Sequence, residues 1–251
     1  MLSVVLPAYN EAACLNELLE RISRVVAAAV SEYEIVVVDD GSTDETLAVA
    51  EAAAERLPVR VVQHPRNRGY GRALGSGFEA ALQRGDIVVT LDADDSHGPE
   101  LILSMIERLN EGNDLVIASR FVTGGREVGV PPFRRLLSRA AALVGRVVFR
   151  VPGVRDYTSG YRAYRSTLLA RLVQPAEGPC LPSETGFAAG LELLLGAAAL
   201  RASIAEVPLV LRYDRKRSES SLRLRDALPR YFSLLFRHAL KPSPSRTAAD
   251  G

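Results

Sequence analysis

Two groups of acids are spaced for chemistry. Asp92, Asp94 and Asp95 follow the apolar run Ile87–Leu91, and Asp39 and Asp40 follow Glu34–Val38. Carboxylates held as close as those of Asp92-Ala93-Asp94 repel one another unless a cation lies between them. Oxygen donors of this kind suit magnesium or manganese, and such an ion can bridge to a diphosphate. Aspartate is also an ordinary turn and capping residue, and for Asp44, after Gly41-Ser42-Thr43, helix capping is at least as good a reading as ligation. The glycine-rich dinucleotide fingerprint is missing after the first apolar run, where Pro7-Ala8-Tyr9-Asn10-Glu11 stands instead, and no Gly-x-x-x-x-Gly-Lys-Ser/Thr loop occurs. Nicotinamide, flavin and P-loop chemistry are therefore disfavoured. A metal-held nucleoside diphosphate fits what remains.

Such acids need elements that bring them to one edge. Apolar, β-branched runs at Ser3–Leu6, Glu34–Val38, Val59–Gln63, Ile87–Leu91 and Leu115–Ala118 read as strands. Helical spacing fills the gaps over Glu11–Val30, Asp44–Arg56, Gly71–Gln83 and Pro99–Asn110. This alternation predicts an α/β fold with a parallel sheet covered on both faces. Ligands of such sheets gather beyond the carboxyl ends of the strands, where these acids fall. After residue 120 the pattern changes. A glycine- and proline-rich loop, Gly124–Pro132, precedes a helix over Phe133–Phe149, and Val151–Arg165 reads as a second loop. Helix is expected again over Gly186–Ala199, a strand broken by Pro208 over Ile204–Arg212, and a basic amphipathic helix over Leu222–Leu240. The expected organisation is a domain over 1–211, with a nucleotide half over 1–120 and an acceptor half over 121–211. A basic segment over 212–241 and a frayed tail over 242–251 complete it.

Composition narrows the classes further. The chain has 251 residues, 47% hydrophobic and 24% charged, a globular balance rather than a disordered one. Its net charge of +1 argues against a nucleic-acid binder. Two cysteines, Cys14 and Cys180, make neither a disulfide framework nor a zinc cluster. The N-terminus shows no secretory leader, and no run approaches the ~18 apolar residues of a membrane span. A cytoplasmic protein able to touch a membrane without crossing it is expected.

Seven ordered motifs carry a family resemblance. They are Pro7-Ala8-Tyr9-Asn10-Glu11, Val38–Asp44, Arg66–Ala73, Asp92-Ala93-Asp94, Ser119-Arg120-Phe121, Asp156–Arg165 and Ile204–Pro208. Together they resemble the inverting GT-A glycosyltransferases of family 2, and within them the dolichyl- or polyprenyl-phosphate sugar synthases. The resemblance spans about residues 2 to 225. It implies a nucleotide-sugar pocket formed by Pro7, Tyr9, Glu11, Asp39, Asp40, Asp92 and Ala93. It implies Mg2+ or Mn2+ at Asp92 and Asp94, with Ser96, where the family has glutamine, reaching the ion through water. Arg120 and Arg134 match arginines that face donor or acceptor phosphates. Donors of the GDP-mannose and UDP-glucose types both remain open.

The C-terminal motif departs from its family. The pattern Arg-x-x-Gly-Glu-Ser-Lys, an acceptor-phosphate site, falls on Arg215-Lys216-Arg217-Ser218-Glu219-Ser220-Ser221. Arg215 and Ser220 match, whereas Ser218 and Ser221 replace glycine and lysine; Lys216, Arg217 or Arg223 can supply the missing charge. A phosphate acceptor is already ionised and can attack unaided, whereas a hydroxyl needs a base. Glu192 aligns with a family glutamate and is the candidate base, the alternative being that it holds a loop; Glu184 reads as a cap. Asp156 is expected to order its loop by bonding backbone amides. His64, His97 and His238 lack metal-site spacing, and Cys180 reads as a loop thiol. Polyprenyl phosphate at a membrane surface is thus the first acceptor, a soluble metabolite or natural-product hydroxyl the alternative. A sugar-nucleotide pyrophosphorylase lacks its loop here, and a non-catalytic docking protein leaves Asp92 and Asp94 unexplained. The near-neutral charge is itself a cancellation. Residues 1–211 carry 21 basic and 26 acidic side chains, and 212–241 carry nine and three. That basic segment suits a phosphate or an anionic membrane face, or a solvated helix surface.

Overall fold

The structure is a computed structural model that describes residues 1–174, 182–184, 186 and 188–217. The helix expected over Leu222–Leu240, the tail, Ser220 and Cys180 lie outside the described residues. Strands β1 (Leu2–Ala8), β2 (Tyr33–Asp39), β3 (Val59–Gln63), β4 (Ile87–Thr90) and β5 (Leu115–Ser119) alternate with helices α1 (Ala12–Ala27), α2 (Thr46–Ala54), α3 (Tyr70–Ala81) and α4 (Leu101–Asn110). The rest comprises β6 (Arg126–Val128), α5 (Pro132–Phe149), β7 (Arg162–Arg165), α6 (Ser166–Val173), α7 (Ala188–Ala199), β8 (Ile204–Pro208), β9 (Val210–Arg212) and a 3-10 turn, Tyr213–Arg215.

Seven strands form one sheet in the order β3-β2-β1-β4-β7-β5-β8, in which only β7 runs antiparallel. Alternation along the strands divides the core. Val5, Val36 and Val38 join Phe78 and helices α3, α6 and α7 on one face. Val4, Leu6, Ile35 and Val37 pack against Leu15, Leu18 and Ile22 of α1 and Ile102 and Met105 of α4 on the other. A strand buried on both faces must be apolar at every position, which is why these runs were readable as strands.

Three expectations need correction. The loop expected over Val151–Arg165 ends in β7, a central strand whose sequence, Arg-Ala-Tyr-Arg, does not look like one. Position overrides propensity: β4 and β5 supply hydrogen-bonding edges on both sides. The loop expected over Gly124–Pro132 contains β6, which pairs in parallel with β9. The single strand expected over Ile204–Arg212 is two strands in two sheets, changing sheet at Pro208-Leu209. Proline has no amide hydrogen to continue a ladder. Helix α6 had no counterpart in the sequence reading.

Candidate active site

The acids collect at the carboxyl ends of β1, β2 and β4. Asp39 and Asp40 are buried at the end of β2, and backbone amides hold them. Asp39 Oδ1 accepts from Ser42 N at 3.3 Å. Asp40 accepts from Arg68 N at 3.0 Å and Gly69 N at 2.8 Å, and it pairs with His64 Nδ1 at 2.6 Å. His64 also reaches Ser76 Oγ at 2.9 Å, so its place is structural. Gly41, with φ +67°, makes this packing possible, because a Cβ there would lie 2.3 Å from the Arg66 carbonyl carbon. Pro7 lies near the end of β1 beside Val38, and Tyr9 and Glu11 follow the strand, part-buried. Glu11 N donates to Thr46 Oγ1 at 2.8 Å. Asp44 bonds Thr46 N at 3.0 Å and Ala12 N at 3.3 Å, which fits the capping reading.

Asp92 and Asp94 sit beyond β4 and differ in environment. Asp94 is nearly buried; Ser96 N and Oγ donate to its Oδ1 at 3.0 and 2.5 Å. Its other oxygen, Oδ2, takes Lys216 Nζ at 2.6 Å. Burial works to raise the Asp94 pKa, but the Lys216 ammonium and His97 outweigh it and hold the carboxyl below its usual range. For Asp92 the balance reverses: burial in the cleft pushes the carboxyl up against the pull of His97, and Asp94's charge adds to the rise. The Tyr70 hydroxyl bonds Asp92, and its own pKa is driven well up by burial and then by Asp92's charge. Gly160 leaves room for that contact, since a Cβ there would stand 2.6 Å from the Tyr70 oxygen. Beneath them Arg162 is fully buried and bonds the Gly190 carbonyl.

These residues fit a divalent ion shared with a substrate. Among the described residues no three acids, histidines or cysteines converge to form a closed cage. Two carboxylates suffice where phosphate oxygens complete the shell, as magnesium sites do. The Lys216 ammonium on Asp94 marks the place where positive charge is required. Cys14 is buried nearby, and burial first, with the charge of Glu11 next, pushes its thiol up to about 12.

The remaining predicted residues separate into groups. Arg120 lies at the end of β5, where Nε and Nη2 form a two-pronged pair with Asp156, both at 2.8 Å, and Thr158 Oγ1 accepts at 2.5 Å. Asp156 also accepts from the amides of Arg120, Thr158 and Ser159, at 3.1 Å each, as expected of a loop-ordering acid. Despite burial, Arg120 holds its carboxyl below the usual range. Glu206 fixes the same loop through the amides of Arg155 and Asp156, both at 2.7 Å. Arg134 Nη1 donates to Tyr213 Oη at 3.0 Å, and Arg215 lies on the same 3-10 turn, where its charge is felt by Asp95. Glu192 is engaged in holding a loop: its carboxylate accepts from Ser183 N at 2.7 Å, from Glu184 N at 3.0 Å and from the Ser183 hydroxyl. These three bonds fit the alternative in which Glu192 holds a loop. Ser96 likewise serves first as a donor to Asp94.

Sequence reasoning missed three neighbours of the acids. His97 lacks metal-site spacing, yet Asp95 turns the chain at φ +59° and brings Nδ1 within 3.3 Å of Asp92 N. Tyr70 was visible only as part of a motif. Lys216 is 122 residues from Asp94 and no spacing rule reaches that far.

A mostly parallel sheet with paired carboxylates at its strand ends and one antiparallel strand at its centre defines a GT-A glycosyltransferase fold. The chain belongs to Glycosyl transferase family 2, whose sequence model matches residues 3–173. It is 36% identical over 222 residues to the dolichol-phosphate mannosyltransferase of Pyrococcus furiosus, covering 88% of this chain and 59% of that protein. It is 39% identical over 172 residues to the polyprenol monophosphomannose synthase of Mycolicibacterium smegmatis, covering 67% and 63%. It is 35% identical over 220 residues to the undecaprenyl-phosphate mannosyltransferase of Micrococcus luteus, covering 87% and 86%. The chain thus spans less than two thirds of the length of the first two relatives. Among solved structures, glucosyl-3-phosphoglycerate synthase from Mycobacterium tuberculosis, in complex with Mn2+, UDP and glucosyl-3-phosphoglycerate, superposes with TM-score 0.70 at 26% identity, covering 97% of this chain and 81% of that one. No helix among the described residues is long and apolar enough to cross a membrane.

Proposed function

We propose that this chain transfers a hexose, with inversion, from a nucleoside diphosphate sugar to a polyprenyl phosphate. The observation that carries this reading is the pairing of Lys216 with Asp94 beside Asp92, a cation at the strand-end acids where a diphosphate would need one. Asp92 and Asp94 would hold Mg2+ or Mn2+, which supplies positive charge against the departing diphosphate. Pro7, Tyr9, Glu11, Asp39 and Asp40 line the edge at which the nucleoside would lie. Tyr70, His97 and Ser96 fix the two carboxylates in place. A phosphate acceptor needs no base, in keeping with a Glu192 committed to its loop. Arg134, Arg215 and Ser220 are assigned to the acceptor phosphate, and Arg120 to the loop beside it. Names of the relatives support a lipid-phosphate acceptor and a mannosyl donor.

A second reading keeps the donor chemistry and uses a soluble acceptor. The likeness to a synthase solved with glucosyl-3-phosphoglycerate and UDP favours it, as does Ser221 in place of the family's lysine. Incubation with labelled donor and either polyprenyl phosphate or phosphoglycerate separates the two: an organic-extractable product is expected, and a water-soluble product alone overturns the first reading. Folded Asp94→Ala protein with undiminished turnover would remove the acids from the mechanism. A thermal-shift panel with Mn2+ and GDP or UDP identifies the donor base, because the matching ligand raises stability.

A further inference from the structure

The chain carries 31 basic side chains, and only Lys216 and Lys241 among them are lysines. One of the two sits at the strand-end acids. The Lys216 ammonium reaches Asp94 Oδ2 at 2.6 Å, with the two side chains only 11% and 10% exposed. Lysine brings a compact point charge to that place, as an ion would, whereas a guanidinium is a broad planar fork. Asp94 has one oxygen left for a cation. Ser96 N and Oγ hold Oδ1 at 3.0 and 2.5 Å, and Lys216 takes Oδ2. A divalent ion bound through Asp94 therefore competes with Lys216 for the same atom, and like charges that close repel strongly in a buried site.

The same contact is the buried anchor of its segment. The neighbouring pairs Arg212–Asp214 and Arg217–Glu17, at 2.7 and 3.3 Å, are exposed, and such pairs hold weakly. At the end of β9, Arg212 N donates to the Ser96 carbonyl at 2.9 Å, so the segment starts from the loop that carries the acids. Beyond it the turn Tyr213–Arg215 leads outward to Arg134, through the bond from its Nη1 to Tyr213 Oη at 3.0 Å. Lys216, one residue past that turn, points back inward to Asp94.

We propose that Lys216 is a resident counter-ion for Asp94 that yields Oδ2 when the divalent ion binds, so that loading the donor side releases this lysine to the acceptor side. With the metal absent, the ammonium keeps a buried carboxylate from standing unpaired, which would be costly. Once displaced, it stays next to Arg215 in the chain and close to the turn that meets Arg134. It then adds a third cation to the groups assigned to the acceptor phosphate. Metal and donor therefore bind before the acceptor. The exchange at Asp94 rests on the metal reading of Asp92 and Asp94, and the gain for the acceptor rests on the lipid-phosphate reading.

Acylation of amines in the wild-type full chain, read by mass spectrometry, tests the exchange without a variant, and Lys241 serves as the internal reference. Saturating Mn2+ should speed acylation of Lys216 severalfold and leave Lys241 unchanged. An unchanged Lys216 rate, where electron paramagnetic resonance shows Mn2+ bound, overturns the proposal. In a Mn2+ titration Lys216→Met should bind the ion about tenfold more tightly, the gain expected on removing a competitor that occupies the site about nine-tenths of the time. Lys216→Arg keeps the charge and should lack that gain. Equal affinity in wild type and Lys216→Met overturns the exchange. Tighter binding without faster acylation overturns it in favour of plain charge repulsion. If neither protein binds Mn2+, the metal reading falls and the exchange with it. With polyprenyl phosphate, Lys216→Met should raise the acceptor KM severalfold and leave the donor KM unchanged or lower. If wild type transfers only to a soluble acceptor, the lipid-phosphate reading fails, while acylation and titration still decide the exchange.

Discussion

Residues 2–119 and 120–217 contribute strands to one sheet but hold their polar groups by different means. In the first stretch backbone amides do the holding: Asp40 accepts from Arg68 and Gly69, Asp39 from Ser42, and Asp94 from Ser96. In the second, buried charges hold one another, as Asp156 and Arg120 do, or a side chain fastens a distant loop, as Glu206 and Glu192 do. An amide clamp follows once a strand and turn have formed. A buried ion pair depends on both charges being present and is strongly destabilised by losing one. The donor edge therefore rests mainly on amide clamps, and the acceptor edge adds a buried ion pair to amide bonds of the same kind. Lys216 on Asp94 joins the two.

The comparison can be broken first at that junction. Asp94→Ala should lower transfer by about 10³-fold or more, the scale of losing charge stabilisation at a reacting centre, while circular dichroism stays native. Next, Asp156→Ala should destabilise by about 3–5 kcal/mol, because it breaks a buried ion pair with Arg120 and removes the acceptor of three loop amides. Denaturant unfolding measures it, and a change below about 1 kcal/mol would mean that Asp156 does not hold the acceptor loop. The pH response has a defined sign. Asp156 is held below the usual carboxylate range, so its stabilisation is complete above the unfolded-state pKa and is lost as pH falls through the folded one. Melting temperature should therefore fall in acid, and Asp156→Asn should flatten that part of the curve.

Smaller effects sharpen the contrast. Tyr70→Phe removes one hydroxyl from Asp92, and transfer should fall about tenfold with stability nearly intact. Gly160→Ala should reproduce the loss by displacing the same hydroxyl. Glu192→Gln should cost less than about tenfold with a phosphate acceptor, since removal of a general base would cost 10²–10⁴. A larger drop that is rescued at high pH would return Glu192 to catalysis.

Legibility followed the same division. The five parallel strands could be read because burial on both faces demands uninterrupted apolar runs, and their acids could be read because they end those runs. Strand β7 could not, since Arg162 and Arg165 hide a central strand. Its buried guanidinium donates from Nη1 to a carbonyl on α7, 28 residues away, and its Nε and Nη2 have no hydrogen-bond partner among the described residues. The basic segment expected over 212–241 lies mostly outside the described residues, and the described structure exposes apolar surface on α5. Which side of an amphipathic helix meets the body is not written in its periodicity.

By itself the sequence determined the α/β alternation, the ordered acids and the family, because each depends on residues close in the chain. Tertiary structure decided the rest. It placed Lys216 on Asp94, His97 and Tyr70 at Asp92, Glu192 on its loop, and the large face of α5 outward. All but the His97 contact join residues far apart in sequence or different elements, so their energies exist only once the chain has folded. Even His97 needed the left-handed turn at Asp95 to reach its partner.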